Sequence, residues 1–188
     1  MVIRNKFFLR FLVTFTIVFL FCYYGALFIT GLAAPGGMYS SFVDKYVNIA
    51  DWLRNSLIFG TQKIVSIFNI QTNRITDYEL RIPFANGIKI VYSCLGFGVM
   101  SFWTAYIVAT DALKSKKILW LFVGLILLWI INIFRISMVL IAGNKGWKFP
   151  LGMDHHTWFN IAAYLFIFTM MYFFERSIKK NSIERRSF

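Results

Sequence analysis

Acidic residues are scarce in this chain. Only 8 Asp and Glu stand against 20 Lys and Arg in 188 residues, and charged residues of all kinds make up 15%. A soluble domain carries about 25%, so an ordinary water-facing surface is excluded. The 2 cysteines exclude a disulfide scaffold, and nothing favours pairing Cys22 with Cys94. No CxxC or HxxxH spacing occurs, which leaves no recognisable metal motif. With 3 prolines and 12 glycines there is no collagen-like or low-complexity tract. What is abundant is apolar: 59% of residues are hydrophobic, 22 of them Phe, and the mean hydropathy is +0.64. That wealth of aromatics excludes disorder. The apolar residues fall in long runs, the signature of membrane spans.

Four segments are apolar enough to cross roughly 30 Å of hydrocarbon, which takes about 20 helical residues. They are 7–32, 94–110, 118–142 and 157–174. The first has the basic start and small-residue exit of a signal peptide, Arg4 and Lys6, then Gly31-Leu32-Ala33-Ala34. Its apolar stretch far exceeds the ~7–15 residues of a signal core, so a retained anchor is expected. The formal net charge of +12 is not spread evenly. It sits beside the spans, at Arg4, Lys6 and Arg10, at Lys114, Lys116 and Lys117, and in the tail 175–188. That placement fits topology and lipid headgroups, with the bilayer and not nucleic acid as the partner. Four crossings put all three clusters, and both termini, on the cytoplasmic side.

The expected outer region, 33–93, breaks at Ala34-Pro35-Gly36-Gly37. Helical spacing of Phe42, Tyr46, Ile49, Leu53 and Leu57 predicts an interfacial helix or a helical hairpin over 40–69, a hairpin turning at Gly60. Ile75, Tyr78, Leu80 and Ile82 near a turn at Pro83 to Gly87, with Ile88, Ile90 and Tyr92 alternating beyond it, predict a small β-hairpin over 70–92, and Asn86-Gly87 is its tight-turn signal. The expected fold class is therefore an all-α integral membrane protein. It has about four transmembrane helices, an outer interfacial helix or helical hairpin and a small β-hairpin-like segment, in one membrane domain.

Arg135 is the internal charge of the third span, and an unpaired charge there costs at least ~2.5–3.5 kcal/mol. It lies about 25 Å along the helix from Ile118, in the outer half of the bilayer. An arginine snorkelling to the headgroups is the plain alternative. Cys94, His155 and His156 fall at the same outer boundary by the topology above. A thiol, a guanidinium and an imidazole at one depth suit acyl transfer through a thioester. A nearby cation lowers the thiol pKa from ~8.5, the imidazole moves a proton, and the guanidinium steadies thiolate or oxyanion. Gly96 and Gly98 allow a substrate close to the backbone. A metal on Asp154, His155, His156 and Cys94 is the competing use. Neighbouring helical histidines diverge by about 100°, so no metal and no cofactor is expected.

Ser93-Cys94-Leu95-Gly96, then Asn132-Ile133-Phe134-Arg135, then His156 with Asn160 four residues on, resemble the three ordered signature regions of the exosortase/archaeosortase family. The resemblance covers about residues 80–175. It implies a multi-pass membrane cysteine transpeptidase or peptidase of the bacterial or archaeal cytoplasmic membrane. Such an enzyme cleaves, on the outer side, the C-terminal sorting signal of exported proteins: a short motif, a transmembrane helix and a basic tail. Carried over, Cys94 is the nucleophile, Arg135 the arginine and His156 the histidine, with His155, Asn132, Gly96 and Asn160 in support. His156 is preferred over His155 because Asn160 then takes the family's small or polar position. Many bacterial members carry an acidic residue where this chain has Tyr92. A membrane assembly or insertion factor is the non-enzymatic alternative, with Arg135 pairing to a substrate helix or lipid phosphate. A small transporter is disfavoured, since no inverted repeat is visible.

Overall fold

The computed structural model describes residues 2–36, 38–83, 87–147 and 155–184. In chain order the elements begin with α1 (Val2–Ala33), α2 (Ser41–Tyr46) and α3 (Ile49–Ile67). Three strands follow, β1 (Asn73–Thr76), β2 (Glu79–Arg81) and β3 (Gly87–Lys89), then a single 3-10 turn at Tyr92–Cys94. The chain continues as α4 (Phe97–Ala109), α5 (Lys114–Lys145) and α6 (His155–Glu184). Among the described residues, three helical stretches are long and apolar enough to cross a membrane: Lys6–Ala33, Lys114–Lys145 and Asn160–Lys179.

The expected span 94–110 is shorter than its hydropathy suggests. Helix α4 has 13 residues, about 20 Å against a hydrocarbon thickness of roughly 30 Å. The reason is local. Gly96 has φ +82, a left-handed conformation that stops the helix from reaching back to Cys94. At the other end Thr110 is extended, with ψ 138.

Helices α1, α4, α5 and α6 pack through one apolar cluster of Trp103, Tyr106, Ile107, Leu128, Ile167, Met170 and Phe174. Contacts fix the directions. Phe11 meets Tyr106, Phe15 meets Phe102, and Tyr23 lies against Gly98, so α1 and α4 are antiparallel. Trp103 donates its indole N–H to Trp120 O at 3.2 Å, while Trp120 and Phe174 meet ring to ring. Close approach of α4 and α5 rests on Gly124, where a Cβ would fall on the Trp103 ring. Small residues at such crossings let apolar helices meet backbone to backbone, which lipid-facing helices need in place of a hydrophobic drive. The described parts of the three basic clusters come to one end of this bundle. Lys116 Nζ donates to Ser177 O at 2.7 Å, and Arg10, Lys117 and Glu175 line one cavity.

A second core lies toward the other end. It joins Ala50, Leu57, Ile58 and Val65 of α3 to Leu80, Ile82, Ile90 and Leu95, and to Ile133, Ile136, Leu140 and Ile141 of α5. Helix α5 therefore serves two cores, one with each half. The expected turn at Gly60 is absent: α3 runs unbroken through it, because Gly60 is where the Ile133 side chain presses on the helix. The break in 40–69 comes instead at Val47-Asn48. There Asn48 accepts the Asp51 N–H at 3.1 Å and its amide donates to Asp44 and Asp51, capping α3. Trp129 Nε1 donates to Ser56 Oγ at 3.0 Å, tying α3 to α5.

The β segment has three antiparallel strands in the order β1-β2-β3, one more than the hairpin expected. The pair β2–β3 is in register at Glu79↔Lys89, Leu80↔Ile88 and Arg81↔Gly87. The β2–β3 connection falls where the turn at 83–87 is expected, except that Gly87 is the first residue of β3. Its Cβ would sit 2.9 Å from Leu80 O, which explains the glycine. Asn86 lies outside the described residues.

Candidate active site

Cys94 closes the 3-10 turn that ends the β segment. Its N–H donates to Val91 O at 2.8 Å, and the Leu95 N–H donates to Tyr92 O at 3.1 Å. The turn is short, and Gly96 then redirects the chain into α4. What fixes it to the rest of the protein comes from α5: Asn132 Nδ2 donates to Cys94 O at 2.9 Å, across 38 residues of sequence. Asn132 is only 6% exposed, so this amide is held in place by the packing around it. Gly96 is part of the same contact. A Cβ there would lie 3.3 Å from Asn132 Nδ2 and would also oppose the positive φ. The glycine expected to admit a substrate also makes room for Asn132. Gly98 likewise faces Tyr23 of α1, at 3.8 Å from a built Cβ.

A cavity of about 300 Å³ opens beside this junction, between α4, α5 and α6. Gly96, Asn132 and Arg135 line it, so two of the sequence motifs meet at one space. The rest of the wall is mostly apolar, including Leu128 and Met138 of α5 and Ala162 and Ala163 of α6. Arg135 is half-buried there. Cys94 is half-buried as well and packs against the α3–sheet core; it is not one of the lining residues and is tied to the cavity wall by its carbonyl's hydrogen bond from Asn132. Cys22 and Cys94 are both free thiols.

His155 and His156 occupy the first turn of α6, two turns ahead of Ala162 and Ala163, and their side chains lie outside the described residues. Asn160 is exposed and does not line the cavity, so the structure does not bring it to the site. Asp154, needed for the metal alternative, also lies outside the described residues. Among the described residues no group of three His, Cys, Asp or Glu side chains comes together.

Tyr92 is the residue that sequence reasoning passed over. Its ring stacks on Phe97 with centroids 5.1 Å apart, and its hydroxyl is buried with no hydrogen-bond partner among the described residues. Burial pushes its pKa up from the usual phenol value, helped by the neighbouring Tyr23. The phenol therefore stays protonated and able to donate, two residues from the thiol. Only its place two before Cys94 hinted at a role.

No known protein family, curated protein or solved structure matches the chain.

Proposed function

We propose that this protein is a membrane cysteine transpeptidase or peptidase of the exosortase/archaeosortase type. It cleaves the C-terminal sorting signal of exported proteins at the outer face of the cytoplasmic membrane. The observation that carries this reading is the hydrogen bond from Asn132 to Cys94 O, with Gly96, Asn132 and Arg135 around one cavity. Two motifs far apart in sequence would have no reason to meet if each were a local accident.

In this reading the Cys94 thiolate attacks the scissile carbonyl and a tetrahedral oxyanion forms beside Arg135. A fixed guanidinium in an apolar wall stabilises such charge far better than one in water. The C–N bond breaks as His156 passes a proton to the leaving amine, and the acyl group stays on sulfur as a thioester. Water or an amine then attacks that thioester, and the thiol is regenerated. The apolar lining around Leu128, Met138 and the Ala162–Ala163 pair suits a helix of the sorting signal. The basic end faces the cytoplasm, as the positive-inside rule requires, with α4 as a short fourth crossing and both termini inside.

The assembly-factor reading draws on one observation, that the Cys94 thiol packs toward the α3–sheet core and does not line the cavity. A single experiment separates the two. Co-expression with an exported protein that ends in an apolar helix and a basic tail is followed by mass spectrometry of Cys94. The enzyme reading expects a thioester-linked fragment, lost with processing in Cys94→Ala and kept in Cys22→Ala. Normal processing by Cys94→Ala overturns it.

A further inference from the structure

A second cavity, of about 340 Å³, lies at the basic end of the bundle, away from Cys94. Four charged side chains line it: Arg10 of α1, Asp111 of the α4–α5 loop, Lys117 of α5 and Glu175 of α6. Among the described residues, none of the four closes an ion pair with another. Two are already held by the fold. The Tyr106 hydroxyl donates to Glu175 Oε1 at 3.0 Å, and Lys117 Nζ donates to Val108 O at 2.8 Å. The remaining wall includes apolar Phe7, Phe11 and Val108.

The signs decide the ligand. Two cations and two carboxylates sum to zero, so a simple anion meets two repelling carboxylates and a simple cation meets two repelling ammonium or guanidinium groups. The species that satisfies both pairs carries a phosphate and an amine a few bonds apart. Its tails must suit Phe7 and Phe11 on the side of α1. We propose that this cavity binds an aminophospholipid of the adjoining leaflet, its phosphate on Arg10 and Lys117 and its primary ammonium on Glu175 and Asp111. A primary ammonium has three N–H donors for carboxylate oxygens, and hydrogen bonds between two ions are the strong ones. A quaternary choline head has none to give. The position agrees with the chemistry, since Lys and Arg flanking membrane helices sit at headgroup level. This site is independent of the chemistry at Cys94.

The test is native mass spectrometry of the full chain released from mixed micelles holding equal amounts of phosphatidylethanolamine, phosphatidylcholine and phosphatidylglycerol. The expected result is retention of phosphatidylethanolamine over phosphatidylcholine by about tenfold, the scale of one charge-assisted hydrogen bond. Glu175→Gln keeps an oxygen for Tyr106 and should bring that ratio close to one, with the unfolding temperature unchanged. Asp111→Asn, at an exposed loop position, should lower the ratio without involving Tyr106. Arg10→Gln should weaken both lipids alike. Best retention of phosphatidylglycerol would show an ordinary basic girdle and overturn the proposal. Equal retention of all three lipids, or an unaltered ratio in both carboxylate variants, would do the same. Cys94→Ala should leave every ratio as it is, so failure of the enzyme reading and failure of this one are separable.

Discussion

Replacing Asn132 by leucine keeps the branched outline of the side chain, with two bulkier methyl groups, and removes the amide that donates to Cys94 O. Asn132 is 6% exposed, so the Cys94 carbonyl loses its donor in largely apolar surroundings. A buried acceptor left without its partner costs about 1–3 kcal/mol. Besides the core contact of Leu95 and the stacking of Tyr92 on Phe97, the turn keeps two hydrogen bonds of its own, Cys94 N–H to Val91 O and Leu95 N–H to Tyr92 O. A loss of that size raises the open population of the turn by roughly 5- to 150-fold. The assay is the rate of maleimide labelling of Cys94 in a Cys22→Ala background, read beside thermal unfolding in micelles. Asn132→Leu should speed labelling within that range and lower the midpoint. Substrate processing should fall even though no catalytic group has been removed. A labelling rate and a midpoint both equal to those of the parent would refute the reasoning, because the hydrogen bond would then hold nothing.

Other outcomes follow from the same geometry. Gly124→Ala should destabilise by about 1–3 kcal/mol through overpacking on Trp103; chemical denaturation followed by circular dichroism checks it, with Trp103→Phe recovering part of the loss. Arg135→Lys should lose most processing with unchanged membrane insertion, measured by protease protection, because an ammonium cannot replace a planar two-pronged donor. His156→Ala should slow turnover by roughly two orders of magnitude or more and His155→Ala far less, measured by single-turnover cleavage; the reverse order moves the catalytic base to His155. A cysteine placed at Ser115 should resist an impermeant thiol reagent added from outside, and labelling there would invert the topology.

Long-range order in this chain was legible wherever hydropathy alone decides it. The runs that become α1, α5 and α6 are apolar over most of their length, and Lys114 and Lys145 bound α5 as charge bounds a span. Reading failed where one residue outweighs its neighbours. Leu95 and Gly96 look like the start of an apolar helix, yet the positive φ of Gly96 places Cys94 on a separate turn. Gly60 and Gly87 resemble turn glycines. Both are packing glycines, one under Ile133 and one against the Leu80 carbonyl. The β1–β2 turn at Asp77-Tyr78 carries no Asn-Gly signal, so the first strand went unseen. At the site, the motifs named Asn132 and Arg135, but not that Asn132 reaches the Cys94 carbonyl. No local pattern encodes a contact between residues so far apart. Ala162 and Ala163 belong to no motif, and only the packing of α6 shows that they line the cavity.

Two cores on one helix have unequal sensitivities to solvent. The bundle core around Trp103 and Phe174 gains little from excluding water if lipid already surrounds it, and it relies on close packing. The core of α3 and the strands lies beside charged neighbours such as Asp51, Arg54 and Lys89, where burial from water is what holds it. Urea acts on the second kind of stabilisation far more than on the first. Rising denaturant should therefore melt the α3–sheet layer while α1, α5 and α6 stay inserted. Cys94 hangs from that layer and from Asn132 at its edge, so the protein can lose its site and keep its place in the membrane. Inactivation and extraction would then be two events on one titration, with a helical, embedded and inert form between them.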